Sequence, residues 1–302
     1  MGNNALIQQV LVLFLIIVVG FIAKKKDIIT SQVSKKLSEL LLYITSPFLV
    51  ITSFNFEFSF DMLTKAIIVF IFSMGIHIFS IILGMFAFNR YPDRVRSVLR
   101  FITVFPNCGF MGFPVLESIF GKIGIFYGSI YVMVFNIFLW TYGVMLFSKD
   151  NEKTSIKQVL FNPGTISVFI GIIVFLFSID IPAPIYNTLD LVGGMTAPLS
   201  MLIVGALLAD VDFKKLFSGS AVYYGSFIRL IFIPLLTMVV LKFTGMEEEL
   251  MKICVLLVAM PAAANTAIFA EKYDADAPLA SQCIAVSTIF SMITMPLILS
   301  IM

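Results

Sequence analysis

Phe105-Pro106-Asn107-Cys108-Gly109-Phe110-Met111-Gly112-Phe113-Pro114 decides the fold. The stretch lies inside an apolar run long enough to enter a membrane, yet it is a poor place to keep a helix. Each of its two prolines removes a main-chain donor and clashes with the preceding turn. Its two glycines make bending cheap. Inside a bilayer freed backbone groups must find partners, so a broken helix persists only where it is buried in protein or lines a cavity. A second break of this kind stands at Met260-Pro261-Ala262-Ala263-Ala264-Asn265-Thr266. The two read as facing halves of one site.

The surrounding composition agrees. The chain has 302 residues, 60% hydrophobic and only 13% charged, with a mean hydropathy of +1.03. A soluble domain carries about 25% charged residues. This is therefore read as an all-α polytopic membrane protein with almost no extramembrane mass, and no nucleic-acid partner is expected. The three cysteines, Cys108, Cys254 and Cys283, are odd in number and lack metal-ligand spacing. Neither a disulfide framework nor a metal site follows. The first apolar run has no basic residue before it and no small-residue cleavage site after it, so it reads as a span rather than a signal peptide.

A span needs about 20 apolar residues. Suitable runs occur at 5–23, 37–56, 66–89, 98–116, 123–148, 158–179, 188–209, 216–241, 253–270 and 277–302, which predicts ten transmembrane helices. Helices 4 and 9 are the short, proline-interrupted ones. Loop charge sets the orientation. Odd-numbered loops carry fifteen Lys and Arg residues, among them Lys24, Lys25, Lys26, Arg90, Arg94, Arg96, Lys149, Lys153, Lys157, Lys214 and Lys215. Even-numbered loops carry only Lys65, Lys122, Lys242 and Lys252. Odd loops are predicted to be cytoplasmic and both termini outside.

The two halves overlay. Pro47 matches Pro198 at an offset of 151, Asn55 matches Asp210 and Pro106 matches Pro261 at 155, and Glu117 matches Glu271 at 154. Five spans per half is an odd number, so the second half must be inverted. The predicted domains are a five-helix repeat at 1–148, a short cytoplasmic linker at 149–157 and an inverted five-helix repeat at 158–302. Inverted repeats with interrupted helices in matching places point to a secondary transporter with its site near the midplane.

Asn107-Cys108-Gly109-Phe110-Met111-Gly112-Phe113-Pro114 resembles the fourth-span motif of the auxin efflux carrier (AEC) family, and Met260–Thr266 with Glu271 resembles its ninth-span partner. The likeness extends over essentially the whole chain, which looks like a bacterial member, a group that includes malate and malonate permeases. The resemblance implies a fold similar to bile-acid/sodium symporters, with broken helices 4 and 9 crossing at the substrate site. It implies a scaffold from helices 1, 2, 6 and 7, a transport domain from helices 3–5 and 8–10, and an elevator-like alternation. A homodimer through the scaffold is implied in the same way.

Among the residues themselves, Asn107 follows Pro106 at the break and offers both donor and acceptor; it contacts substrate or caps a half-helix. Asn265 and Thr266 hold the corresponding place in helix 9. Cys108, Gly109, Ser46 and Asn136 complete the candidate binding set. Pro106, Gly112, Pro114 and Pro261 shape the crossing rather than touch a ligand. Half-helix amino ends carry partial positive charge and suit a carboxylate. Arg229 lies near the centre of helix 8, where a charge costs about 2.5–3.5 kcal/mol or more. It serves the substrate, or it satisfies broken-helix carbonyls such as that of Leu230, freed by Pro234. His77, the only histidine, is a proton carrier or a neutral hydrogen-bonded residue. Glu117 and Glu271 are interface residues or gate locks.

These readings predict a secondary-active carrier of small organic anions in a cytoplasmic (inner) membrane, with no cofactor and no enzymatic activity. No acid pair suggests a sodium cage, and no glycine stretch matches a nucleotide-binding loop. A sodium-coupled symporter is the alternative within the same fold; a channel or membrane-embedded sensor is the alternative outside it.

Overall fold

The computed structural model describes residues 3–147, 161–210, 219–273 and 275–302, and these are helical, with no strand among them. The predicted linker at 149–157 and Lys214 and Lys215 lie outside the described residues. Among the described residues, six helical stretches are long and apolar enough to cross a membrane: Gln8–Lys25, Phe60–Ala87, Cys108–Phe147, Ala183–Ala209, Ser220–Phe243 and Ala277–Ile301. The chain is thus a polytopic, all-helical membrane protein.

In chain order the helices are α1 (Asn3–Lys25), α2 (Ser31–Leu40), α3 (Ser46–Ser53), α4 (Phe60–Ala87), α5 (Asp93–Val104), α6 (Phe113–Phe138), α7 (Val144–Phe147), α8 (Pro163–Leu176), α9 (Ala183–Gly193), α10 (Thr196–Ala209), α11 (Ser220–Phe227), α12 (Ile233–Phe243), α13 (Glu248–Ala259), α14 (Asn265–Lys272) and α15 (Ala277–Ile301). Among the described residues four π-helical turns occur, Leu41–Thr45, Cys108–Gly112, Leu139–Gly143 and Ile228–Phe232, each running directly into the helix that follows it. Three of them end two residues before a proline: Pro47, Pro114 and Pro234. Proline cannot donate to the carbonyl four residues back and presses its ring against it. Widening that turn relieves the clash and lets the helix continue. Other prolines start helices: α15 begins with Pro278 in its first turn and Asp276 Oδ1 accepting from the Leu279 N–H at 3.0 Å, although it also carries Pro296 in its interior.

The fourth and fifth apolar runs are parted by a break in the helix. The helical stretch Cys108–Phe147, 40 residues, is interrupted between them at Gly121. A straight helix of that length would measure about 60 Å, twice a bilayer core. The stretch instead bends at Gly121 (φ 60°, ψ −146°), a conformation open in practice only to glycine. An added Cβ there would meet nothing within 4 Å, so backbone conformation alone selects the residue.

The described chain forms two compact units. The first comprises Met1–Phe70, Gly109–Met133 and Lys157–Asp210. In it α1 lies along α10, drawn together where Gly20 and Gly205 leave room for the facing backbone. Lys24 pairs with Asp210 at 3.1 Å at the end of this seam. The second unit comprises Ile71–Cys108, Val134–Ile156 and Val211–Met302. Here α15 is the hub, touching α5, α11, α13 and α14. Both α5 from Val98 onward and α13 from Leu250 onward are buried almost throughout.

Candidate functional site

The second unit contains both ends of the helix breaks. A residue before proline is pushed out of the helical region, and both such residues here are extended: Phe105 (φ −108°, ψ 99°) and Met260 (φ −61°, ψ 147°). The two extended pieces pair antiparallel, with Pro106 opposite Ala262. The Asn107 N–H donates to the Pro261 carbonyl at 2.7 Å, and the Ala263 N–H donates to the Phe105 carbonyl at 3.0 Å. Neither proline has an N–H to give, so the pairing runs through their neighbours. The Ala262 N–H donates to Ser287 Oγ of α15 at 3.0 Å.

The carbonyls freed at the ends of α5 and α13 are met chiefly by one side chain. Arg229, in the π turn before Pro234, is 1% exposed. Its Nη1 donates to the Thr103 carbonyl at 2.8 Å, its Nε to Met260 at 3.2 Å and its Nη2 to Val258. Cys108 Sγ adds a weak bond to the Leu257 carbonyl at 3.7 Å. Arg229 thus serves broken-helix carbonyls, but those of α5 and α13; the π turn accommodates the clash that Pro234 makes in its own helix. A cation at two helix carboxyl ends is also favoured by their partial negative charge.

Around this core the candidate residues separate. Asn107 is 4% exposed and Asn136, on α6, 7% exposed, and neither side-chain amide is among the buried polar groups left without a partner. Asn265, partly buried, opens α14, whose amino end has no side-chain cap. Thr266 is buried and its hydroxyl donates to the Ala263 carbonyl at 2.6 Å, so it shapes the turn. His77 is buried, with Nδ1 donating to the Ser73 carbonyl at 2.7 Å and its ring stacked on Phe138 at 5.1 Å. Glu271 is exposed near the end of α14.

Ser46, Gly109, Gly112, Pro114 and Glu117 belong to the first unit. Ser46 begins α3 after a π turn, and Gly112 closes another. Glu117 is partly buried one turn before Gly121. Lys122, just past the bend, bonds Asp190 at 2.7 Å and the Tyr186 hydroxyl. Ser287, one of the few polar residues of the last apolar run, makes the bond between helices that such a residue is expected to make. One role escaped the sequence reading: Asp190 had no sequence neighbour to mark it as the partner of Lys122.

A helical, membrane-spanning chain whose two proline breaks are hydrogen-bonded to one another, with Asn107 at their junction, has the architecture of a membrane transporter. Sequence comparison places it more narrowly. The family described as "Membrane transport protein" matches residues 5–299, and the chain belongs to that family, the auxin efflux carriers. It is 25% identical over 307 residues to an uncharacterized transporter of Methanocaldococcus jannaschii, covering 95% of this chain and 96% of that one. It is 24% identical over 305 residues to the uncharacterized transporter YfdV of Escherichia coli strain K12, covering 96% of each. It is 24% identical over 139 residues to a Rhizobium meliloti protein named "Putative malonate transporter", covering 46% of this chain and 43% of that one.

Proposed function

We propose that this transporter is a secondary-active carrier of small organic anions, auxin-like acids or dicarboxylates such as malate and malonate. The observation that carries the reading is Asn107, 4% exposed, which stands at the paired breaks with its main-chain N–H committed to Pro261. Its side-chain amide offers a ligand both a donor and an acceptor there. The ligand's charge follows from the neighbours. The amino end of α14 is uncapped by side chains, and the carboxyl ends of α5 and α13 already hold the Arg229 cation. The free partial charges are positive and favour a carboxylate. Asn107, Cys108, Asn136 and Asn265 are the proposed contacts, with Pro106 and Pro261 shaping the crossing.

The wider reading is a ten-helix inverted repeat working by elevator-type alternation, with helices 1, 2, 6 and 7 as scaffold and 3–5 and 8–10 moving. Its support is a register: α5 and α13 begin and end 155 positions apart (93 to 248, 104 to 259), the offset of Pro106 and Pro261. Loop charge supports a cytoplasmic membrane location with both termini outside. A homodimer through the scaffold is part of the same proposal.

A thermal-shift screen of purified protein tests the substrate class, using malonate, malate, succinate, citrate and indole-3-acetate. A ligand at ten times its Kd stabilises by about 1.4 kcal/mol, which is about 3 °C or more in a chain of this size. At least one anion should give such a shift. A shift only with neutral or cationic solutes would remove the anion reading.

A further inference from the structure

Transporters with broken helices commonly coordinate their coupling cation through unwound carbonyls and half-helix carboxyl ends. In this chain those groups are occupied. The Thr103 carbonyl ends α5, the Val258 and Met260 carbonyls end α13, and all three accept from the guanidinium of Arg229. The side chain reaches them from a different helix, and it is buried at 1% exposure. A buried charge is retained only where strong partners hold it, and three charge-assisted bonds are such partners. We infer that Arg229 is a built-in cation: it takes the place that a mobile sodium ion would fill at the crossing of the breaks, so that this carrier closes its anion site without binding a metal cation there.

The arrangement makes a second consequence explicit. Carboxyl ends of helices carry negative partial charge and amino ends positive. A fixed guanidinium cancels the first and leaves the second, permanently and at every salt concentration. Arg229 is then a positioning residue that sets the sign of the accepted substrate without touching it. The inference rests on the carrier reading for its functional meaning, but its test needs no substrate.

Melting of the purified chain is measured in sodium chloride, guanidinium chloride and choline chloride at equal, low concentration. Wild-type protein should melt at one temperature in all three. A sodium-specific rise of about 3 °C or more in wild type would overturn the inference. Arg229→Ala bares three carbonyls, and sodium or guanidinium should raise its melting temperature by about 3 °C or more over choline. Arg229→Lys carries its own ammonium and should show no such response. Folded Arg229→Ala that melts alike in all three salts also overturns the proposal. Where Arg229→Ala gives no folded protein, Arg229→Gln replaces it, with the same rescue expected. If neither neutral variant folds, a folded and salt-indifferent Arg229→Lys upholds the inference, and its failure alongside them defeats it. A malonate shift measured in parallel keeps the two readings apart. Cation rescue without any anion shift would sink the substrate proposal alone, and an anion shift without rescue would sink the built-in cation alone.

Discussion

The α1–α10 seam and the paired breaks of α5 and α13 hold helices together by opposite means. At the seam, backbones touch. A Cβ on Gly205 would lie 2.0 Å from the Ile17 carbonyl oxygen and 2.7 Å from the Phe21 nitrogen, and one on Gly20 would lie 2.3 Å from the Leu202 oxygen. At the breaks, contact is polar, through two main-chain bonds, the Ser287 hydroxyl and the Arg229 guanidinium. Lipid supplies no hydrophobic drive between helices, so small-residue packing and interhelical hydrogen bonds are the two available tools. The first suits a contact that stays closed. The second suits irregular backbone, because every broken turn leaves groups that must be satisfied. Substitutions should therefore hurt differently in the two regions.

The largest loss is expected at the seam. In Gly205→Ala the obstructing atoms are main chain and cannot swing aside, so the helices must part, at a cost of about 3 kcal/mol or more. Gly75→Ala on α4 is the control. It is exposed and a Cβ there meets nothing within 4 Å, so helix propensity alone should leave stability unchanged or raise it by up to about 1 kcal/mol. The temperature at which detergent-solubilised protein loses its monodisperse elution peak reads both. Equal losses would mean that the seam is not a backbone contact.

Ser287→Ala should cost less. It strands the buried Ala262 N–H, a penalty of about 1–3 kcal/mol, while the other bonds of the breaks remain. Ser287→Thr keeps the hydroxyl and should recover part of the loss in the same melting measurement. A Ser287→Ala protein as stable as wild type would show that the break holds itself without α15.

Both breaks were legible from Pro106 and Pro261, because proline's effect on its own turn and on the residue before it is local. So was the choice between two roles for Arg229. Its partners were not legible: Thr103, Val258 and Met260 contribute main-chain carbonyls, and a carbonyl has no residue type to betray it. The break at Gly121 was legible because Lys122 interrupts the apolar run, but the hold of Asp190 and Tyr186 on Lys122 was not. Thr266 illustrates a third limit. A threonine beside a break looks like a ligand contact from its sequence, and only its geometry shows the hydroxyl turned back onto Ala263.

The smallest stability effect is expected where the functional effect is greatest. The main-chain bond of Asn107 to Pro261 survives Asn107→Ala, and the amide is not one of the buried polar groups left unsatisfied in the frame. Melting should therefore move by no more than about 1 kcal/mol. Malonate, or whichever anion stabilises the wild type, should bind at least about tenfold more weakly, a loss of roughly 1.4 kcal/mol. Ser287→Ala should show the reverse: lower stability, with the anion response retained once the protein is folded. The pair of variants separates holding the break from using it. If Asn107→Ala melts early and still responds fully to the anion, the amide belongs with Ser287 and Arg229 as part of the frame, and the buried amide of Asn136 becomes the next contact to remove.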